Sequence, residues 1–505
     1  LGVIVVSVQG ASFAELATRA SAAREEGDIV ELRLDAPGAP HGALAFGVEE
    51  LRSLKEHLGR PVLVALNGPE AHGCFSGPLA ARRAVLDAAI AAGVDLVDMP
   101  LHLVAELGAF ATRRVLSAHV DAAACEHAAR ALVERAAPGD LLKLVGRATD
   151  ALEGLEVLRV CARHDWRDHR HAVFASGLEA AWTRIVAPAF GSAAVWARAT
   201  EAPATAPGQL DAHALRAARP ARPMGSSTRL CAVLGDPVAH SLSPRLHARA
   251  LRELGLDAAF VALRVARLDE ILPLLDERWI GLALTAPLKQ QGARLALELD
   301  AATRAACAAN TLVRDARGAW RATNTDVVGI GLAARAALGL APQASLAGRR
   351  IAILGAGGAA RAACHALREA RLALWARDAA AARALGSAFG IAVFEPVAAI
   401  EAELVLDCTS AALAGESPVP IERIAPRAST TAGAGAPTVV LGSTYRPART
   451  PLLVAAAGRG MSTFDGSRWF LEQAIAQFES HHGLPAPRAA MEDELRAALA
   501  AEQAP

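Results

Sequence analysis

Lysine is almost missing from this chain: its 505 residues carry three, Lys55, Lys143 and Lys289, against 49 arginines. Tyrosine is rarer still, with Tyr445 alone, and aromatic residues make up 4% of the total, which speaks against an aromatic-rich β-barrel. Net charge is absent as well. The 52 acidic and 52 basic side chains cancel, so the chain has no bulk electrostatic footprint for nucleic acid or an anionic membrane. No uninterrupted apolar stretch approaches a membrane-spanning length, and the first residues lack a basic segment leading into a secretory apolar core. The seven cysteines are scattered and form no CxxC pair, so neither a disulfide framework nor a zinc site is expected. They read as reduced, buried small side chains of a cytoplasmic protein.

The scarcity of lysine makes the remaining three informative. Arginine can do ordinary cationic work, but only lysine offers an amine that loses its proton when desolvated and acts as nucleophile or base. Lys55, within Leu51-Arg52-Ser53-Leu54-Lys55-Glu56-His57, reads as a helix-surface residue. Lys143 sits in the apolar run Leu141-Leu142-Lys143-Leu144-Val145, and Lys289 closes Leu284-Thr285-Ala286-Pro287-Leu288-Lys289. These two are the candidate catalytic amines.

The length implies two or three domains. Over the first 210 or so residues, eight β-like runs alternate with Ala/Arg/Glu-rich helical stretches: 3–8, 28–34, 61–66, 94–98, 114–117, 141–145, 172–175 and 193–196. Eight such units predict a (β/α)8 barrel, with functional residues at the C-terminal ends of the strands. Lys143 then lies on the sixth strand, and Ser117-Ala118-His119 ends the fifth. Glu31 and Arg33 share one side of the second strand, because side chains alternate. A stretch with two prolines, a glycine and three hydroxyl residues, 219–228, is the obvious linker. Two smaller α/β units follow, and the Ala/Gly/Ser/Thr/Pro-rich segment 427–437 reads as a mobile surface loop.

After the strand ending at Leu354 comes Gly355-Ala356-Gly357-Gly358-Ala359-Ala360 and then a helix-forming run. Strand, small-residue turn and helix together make the dinucleotide fingerprint, with alanine in the third glycine's place. The next strand, 371–375, leads to Arg377, whose planar fork suits a 2′-phosphate and favours NADP. Asp378, one residue on, keeps NAD open, because a carboxylate at this point usually holds the ribose hydroxyls.

Two family resemblances rest on such motifs. The loop Gly235-Asp236-Pro237-Val238-Ala239-His240-Ser241-Leu242-Ser243-Pro244, then Thr285-Ala286-Pro287-Leu288-Lys289, Ala309-Asn310-Thr311 and Asn324-Thr325-Asp326 resemble shikimate dehydrogenases, over residues 229–500. That resemblance implies a catalytic pair, Lys289 with Asp326, and substrate contacts at Ser241, Ser243, Thr285, Asn310, Tyr445 and Gln473. Ala283 stands where the family commonly has asparagine, and Ser467-Arg468-Trp469 alters the nicotinamide-side segment after Gly466. Lys143, His119, Glu31, Arg33, Arg184 and Ala206-Pro207-Gly208-Gln209 resemble type I 3-dehydroquinate dehydratase, over roughly residues 1–215. By that resemblance Lys143 forms an imine, His119 is the general acid/base, Arg184 with Gln209 binds the carboxylate end, and Glu31 and Arg33 contact ring hydroxyls. Thr205 takes the place of a common serine, and Asn67 replaces an arginine. The nearby acidic position falls on Glu70 or Ala71. Substrate affinity then depends on another cation reaching in, Arg82 or His72.

The expected architecture is therefore α/β throughout: a (β/α)8 barrel (1–218), the linker (219–228), a substrate-binding α/β domain (229–335), a Rossmann-like NADP domain (336–465), and C-terminal helices returning to the substrate domain (466–505). The expected activity is bifunctional: dehydration of 3-dehydroquinate to 3-dehydroshikimate, then reduction to shikimate with NADPH. No metal, nucleic-acid or membrane partner is expected. Three rival readings keep the same domains: a dehydrogenase with an impaired barrel, a non-catalytic metabolite sensor, and a catabolic enzyme that oxidises quinate or shikimate with NAD.

Overall fold

The computed structural model describes residues 2–394, 399–425 and 438–501. The glycine- and alanine-rich segment 427–437 lies outside the described residues.

The first unit is built on eight parallel strands: β1 (Val3–Gln9), β2 (Ile29–Arg33), β3 (Val62–Ala65), β4 (Leu96–Pro100), β5 (Arg113–Asp121), β6 (Leu141–Arg147), β7 (His171–Ser176) and β8 (Ala194–Arg198). Their order, β7-β6-β5-β4-β3-β2-β1-β8, is that of a barrel opened between the seventh and eighth strands. A backbone hydrogen bond of 2.7 Å from the Ala193 N–H to the His171 carbonyl nearly closes that seam. The strands are mostly buried on both faces, as a parallel sheet wrapped by helices requires; all four residues of β3 are buried. All eight expected runs are strands. The fifth is longer than expected: β5 continues two residues past His119, which therefore lies within the strand and not at its end. The alternation His119-Val120-Asp121 carries too little apolar character to show that extension.

Close approach over the barrel's C-terminal face depends on two glycines. Gly177 (φ +122°) leaves no room for a Cβ, which would lie 2.0 Å from the Ala148 carbonyl, and a Cβ on Gly208 (φ +70°) would lie 2.1 Å from the Gly177 carbonyl. Two glycines at positive φ thus stack the loop carrying Gln209 onto the loop after β7.

The substrate-domain sheet contains β9 (Arg229–Gly235), β10 (Ala258–Arg264), β11 (Trp279–Leu284), β12 (Glu298–Leu299), β13 (Thr311–Arg314) and β14 (Trp320–Thr323), ordered β10-β9-β11-β13-β14-β12. The pairs β11–β13 and β13–β14 are antiparallel, and β12–β14 is parallel. The last sheet is wholly parallel and is ordered β17-β16-β15-β18-β19-β20. Its strands are β15 (Arg350–Leu354), β16 (Arg371–Trp375), β17 (Ala392–Val393), β18 (Leu404–Asp407), β19 (Val439–Gly442) and β20 (Ser462–Phe464). This is the doubly wound arrangement that the fingerprint after β15 implies.

All seven cysteines are thiols outside any disulfide. Five are buried as expected, but Cys307 is exposed and Cys74 is intermediate. No helix among the described residues is long and apolar enough to cross a membrane.

Candidate active sites

Inward-facing residues of the barrel converge on Lys143, which is 4% exposed. Its ammonium lies 3.1 Å from Asp98 Oδ2 and 3.9 Å from Glu31 Oε1, and 4.4 Å above the centre of the Trp196 ring. Asp98 accepts a second hydrogen bond from the Ser117 hydroxyl at 2.5 Å. Glu31 is held on both oxygens, by the Trp196 indole N–H at 2.8 Å and the Ser7 hydroxyl at 2.5 Å. Arg33 does not face its pocket alone, because Asp35 grips it through two hydrogen bonds of 2.8 and 2.9 Å.

His119 lines the same cavity as Lys143. Across the two strands Ser117 pairs with Lys143 and His119 with Val145, so His119 stands two residues further along β5 than the partner of Lys143. Neither ring nitrogen of His119 makes a hydrogen bond to another described residue. Burial, reinforced by the positive charges of Lys143, His72, Arg33 and Arg184, holds its pKa well below the usual histidine range. Arg184 is 2% exposed, donates to the Trp196 carbonyl at 3.0 Å, and keeps a buried Nε without a partner among the described residues. Burial lowers its pKa to about 9. Arg219 buttresses this helix turn by donating to the Arg184 carbonyl at 2.7 Å. Thr205 and Gln209 also line the cavity, with the Thr205 hydroxyl on Gln209 Oε1 at 2.9 Å.

Asn67, Ala71 and His72 line the cavity, whereas Glu70 is exposed and Arg82 is not among the lining residues. Arg82 is engaged elsewhere: it donates to the Leu66 carbonyl and lies 4.6 Å over the Phe75 ring. Of the two candidate compensating cations only His72 reaches the site, and burial with nearby arginines lowers its pKa. Sequence reading missed Asp98 and Trp196. Both end named β-runs, where a barrel places functional residues, so the signal was present.

The second site is a cleft of about 620 Å³. Lys289 opens the helix Lys289–Leu295 and meets Asp326, first residue of the helix Asp326–Ala337, with Nζ 2.5 Å from Oδ2. Ser241, Ser243, Thr285, Asn310, Tyr445 and Gln473 all line this cleft with that pair. Several are already oriented. Asn310 Oδ1 accepts from the Thr325 backbone at 2.7 Å, and its amide nitrogen donates to the Thr325 hydroxyl at 3.0 Å and to Gln473 Oε1 at 3.4 Å. The Tyr445 ring stacks on Phe470 with centroids 4.2 Å apart, and its hydroxyl accepts from the Leu242 N–H at 3.3 Å.

The dinucleotide turn borders the same cleft through Gly355, Ala356, Gly357, Gly358 and Ala359. Gly355 has φ +110°, and Gly357 caps the helix Gly358–Ala366 with open space where a Cβ would stand. A Cβ on Gly358 would press to 3.1 Å from Lys289 Cβ, so the turn runs directly beside the lysine stem. This cradle fits a pyrophosphate at a helix N-terminus. Arg377 lines the adjoining pocket, with its side chain 86% exposed and 3.7 Å from Glu416. Asp378 caps the helix Ala379–Phe389, accepting from the Ala380 and Ala381 backbones at 2.9 and 3.0 Å. One oxygen of the carboxylate that left NAD open at this position is thus engaged at a helix end. The Trp469 indole N–H donates to Asp326 Oδ1 at 3.1 Å, a contact the sequence did not reveal. Among the described residues no group of three or more His, Cys, Asp or Glu side chains can hold a metal ion.

The fold and these two clusters define an amine-bearing parallel barrel joined to a dinucleotide-dependent oxidoreductase. Residues 4–224 match the family model for type I 3-dehydroquinase, and residues 233–312 match that for the shikimate dehydrogenase substrate binding domain. The shikimate dehydrogenase (NADP(+)) of Syntrophobacter fumaroxidans is 34% identical over 290 residues, which span 55% of this chain and 96% of that protein. Among solved structures, shikimate 5-dehydrogenase of Thermus thermophilus is 32% identical, covers 54% of this chain and 100% of its own, and gives a TM-score of 0.47. The dehydroquinate dehydratase and shikimate dehydrogenase of S. pombe is 22% identical, covers 98% of each chain, and gives a TM-score of 0.43. The chain belongs to the shikimate dehydrogenase family and carries a type I 3-dehydroquinase domain ahead of it, making it a bifunctional lyase and NADP-dependent oxidoreductase.

Proposed function

We propose that Lys143 dehydrates 3-dehydroquinate through an imine and that the Lys289–Asp326 pair serves the reduction of 3-dehydroshikimate to shikimate with NADPH. The observation that carries this reading is the placement of two of the three lysines, each against a buried carboxylate in its own cavity.

In the barrel, the Lys143 ammonium first gives up a proton, with Asp98 and Glu31 as the carboxylates within reach. The amine then adds to the ring ketone and water leaves, forming a protonated imine that acts as an electron sink. His119, neutral because of its burial, takes the adjacent proton and returns it to the departing hydroxyl, which leaves as water; hydrolysis frees the lysine. Arg184, with an unused buried N–H, suits the substrate carboxylate, and Gln209 and Thr205 sit beside it. Glu31 and Arg33 suit ring hydroxyls.

In the cleft, bound NADPH supplies the hydride. Lys289 gives a proton to the ketone oxygen while Asp326 holds its ammonium in place, and water at the open side of the cleft restores the proton to the amine. The hydroxyls and amides of Ser241, Ser243, Thr285, Asn310, Tyr445 and Gln473 suit a polyhydroxylated carboxylate and penalise analogues lacking a hydroxyl. Gly355 to Ala359 suit the pyrophosphate, and Arg377 the 2′-phosphate. The domain limits 1–218, 229–335 and 336–465 with returning helices 466–505 belong to this reading, as do small-molecule partners alone. Seven cysteines kept as thiols support a reducing compartment, the cytoplasm.

The test is a coupled assay from 3-dehydroquinate and NADPH, with borohydride trapping. A substrate-dependent adduct at Lys143 and NADPH oxidation lost in K289A are expected. No adduct, under conditions that trap an active dehydratase, overturns the barrel assignment.

A further inference from the structure

We propose that Trp469 is a positioning residue for the reduction: its indole N–H and the Lys289 ammonium divide the two oxygens of Asp326 between them and fix the plane of that carboxylate. The inference rests on the reductase reading of the cleft. Asp326 Oδ2 takes Lys289 Nζ at 2.5 Å, and Oδ1 takes Trp469 Nε1 at 3.1 Å. With one partner a carboxylate still turns about its terminal torsion, whose well is broad. With a donor on each oxygen that freedom is gone, and the ammonium is aimed as well as held.

The surroundings are built for this contact. Trp469 and Asp326 are 5% and 4% exposed, so both donor and acceptor depend on each other and on Lys289 more than on water. Trp469 sits on the helix Ser467–His482, which packs on the helix Asp326–Ala337 at Gly329. A Cβ on Gly329 would lie 2.7 Å from the Trp469 carbonyl and 2.8 Å from its Cδ1. The glycine therefore permits the approach that brings the indole to the first residue of the facing helix. Trp469 is also part of the buried apolar core of the nucleotide domain, with Ile330, Ile353 and Cys408, which keeps the ring from swinging away. The Ser467-Arg468-Trp469 segment, a departure from the family pattern, thereby acquires a role.

The test is W469F, which removes the donor with little change in apolar volume. We expect kcat for 3-dehydroshikimate reduction to fall about 10-fold, with both KM values within about twofold, since a positioning bond acts in the transition state. On a D326N background the same substitution should cost less than about twofold, because the carboxylate it orients is gone. A mere core filler would cost as much in both backgrounds. A second reading needs no activity: in the chain labelled with ¹⁵N-indole tryptophan, D326N should move a single one of the seven indole N–H resonances, the one missing from W469F. An unchanged W469F kcat, equal losses in both backgrounds, or no indole resonance responding to D326N overturns the inference. Should W469F not fold, the D326N spectrum alone decides. Wild-type protein that does not oxidise NADPH with 3-dehydroshikimate sinks the reductase reading instead, and the spectrum still judges the hydrogen bond.

Discussion

The Lys143 ammonium lies in about 30 Å³ of free space, whereas Lys289 faces a cleft of about 620 Å³. The first volume is too small for a ring substrate, so the side chains and loops around Lys143 have to give way when one binds, whereas the second is within the size range of small-molecule sites. Each lysine has a carboxylate against it, and each site has an indole N–H on a carboxylate, Trp196 on Glu31 and Trp469 on Asp326. The difference lies in what surrounds the pair. Lys143 is enclosed by two carboxylates and an aromatic face, with arginines and histidines beyond. Lys289 has one acidic partner and an open side, its side chain 19% exposed. Chemistry on a single substrate is served by a close-fitting site, while transfer between two molecules needs room for both. On the proposed reading the same amine–carboxylate unit serves two chemistries, set apart by enclosure.

The sharpest way to break this comparison is to remove each amine in turn. K143A should lose roughly 10³-fold or more of dehydratase activity and all borohydride adduct, with NADPH oxidation from 3-dehydroshikimate within about twofold of wild type. K289A should do the reverse. A K143A protein that also reduces poorly shows that the two sites are not independent.

His119 comes next. H119A should cost the dehydratase about 10²-fold or more. The depressed pKa of His119 means that the folded enzyme keeps the neutral base well below pH 6.5, so no His119-dependent loss of dehydratase kcat should appear between pH 7 and 6. A fall with a midpoint near 6.5 contradicts the enclosed, cation-ringed environment. The sign for stability is the same. The unfolded chain protonates this ring first, so its contribution is complete above about pH 6.5 and is lost as the pH falls below that.

A smaller effect sharpens the contrast in charge. Asn67 lines the barrel cavity, and Arg82 does not reach it. N67R should lower KM for 3-dehydroquinate about 10-fold without touching the reductase, as a charged hydrogen bond to a carboxylate would. An unchanged or raised KM shows that His72 and Arg184 already meet that need. The smallest change is expected at Arg377, whose exposed guanidinium is screened and shared with Glu416. R377S should raise KM for NADPH about fivefold and leave that for NADH within twofold. Equal effects on the two cofactors remove Arg377 from the 2′-phosphate site.

Much of this was legible in the order of residues. Eight apolar runs became eight strands because β-branched, doubly buried segments declare themselves locally. The turn at Gly355 declares itself through small residues between a strand and a helix. His119, Arg184 and Gln209, named from the sequence, line one cavity with Lys143, although the fifth strand's extra length was not legible. Asp98 and Trp196 stood at the ends of recognised runs and still escaped notice, because a position at a strand end gives a direction and not a partner. Trp469 was visible as a departure whose consequence the sequence could not show. Arg82 and His72 looked equivalent as substitutes for the missing arginine until packing sent one to the Leu66 carbonyl and the other to the cavity.

By itself the sequence determined the class of each element, the dinucleotide turn and the identity of the two exceptional amines, since these depend on local periodicity, glycine tolerance and the chemistry of single side chains. Only the tertiary structure decided which acid meets which amine. Asp98 is 45 residues from Lys143, Asp326 is 37 from Lys289, and Trp469 is 143 from Asp326. Contacts across such separations are set by strand register, helix crossing and the absence of a Cβ at Gly329. A shift of about an ångström there breaks a hydrogen bond without altering any local propensity.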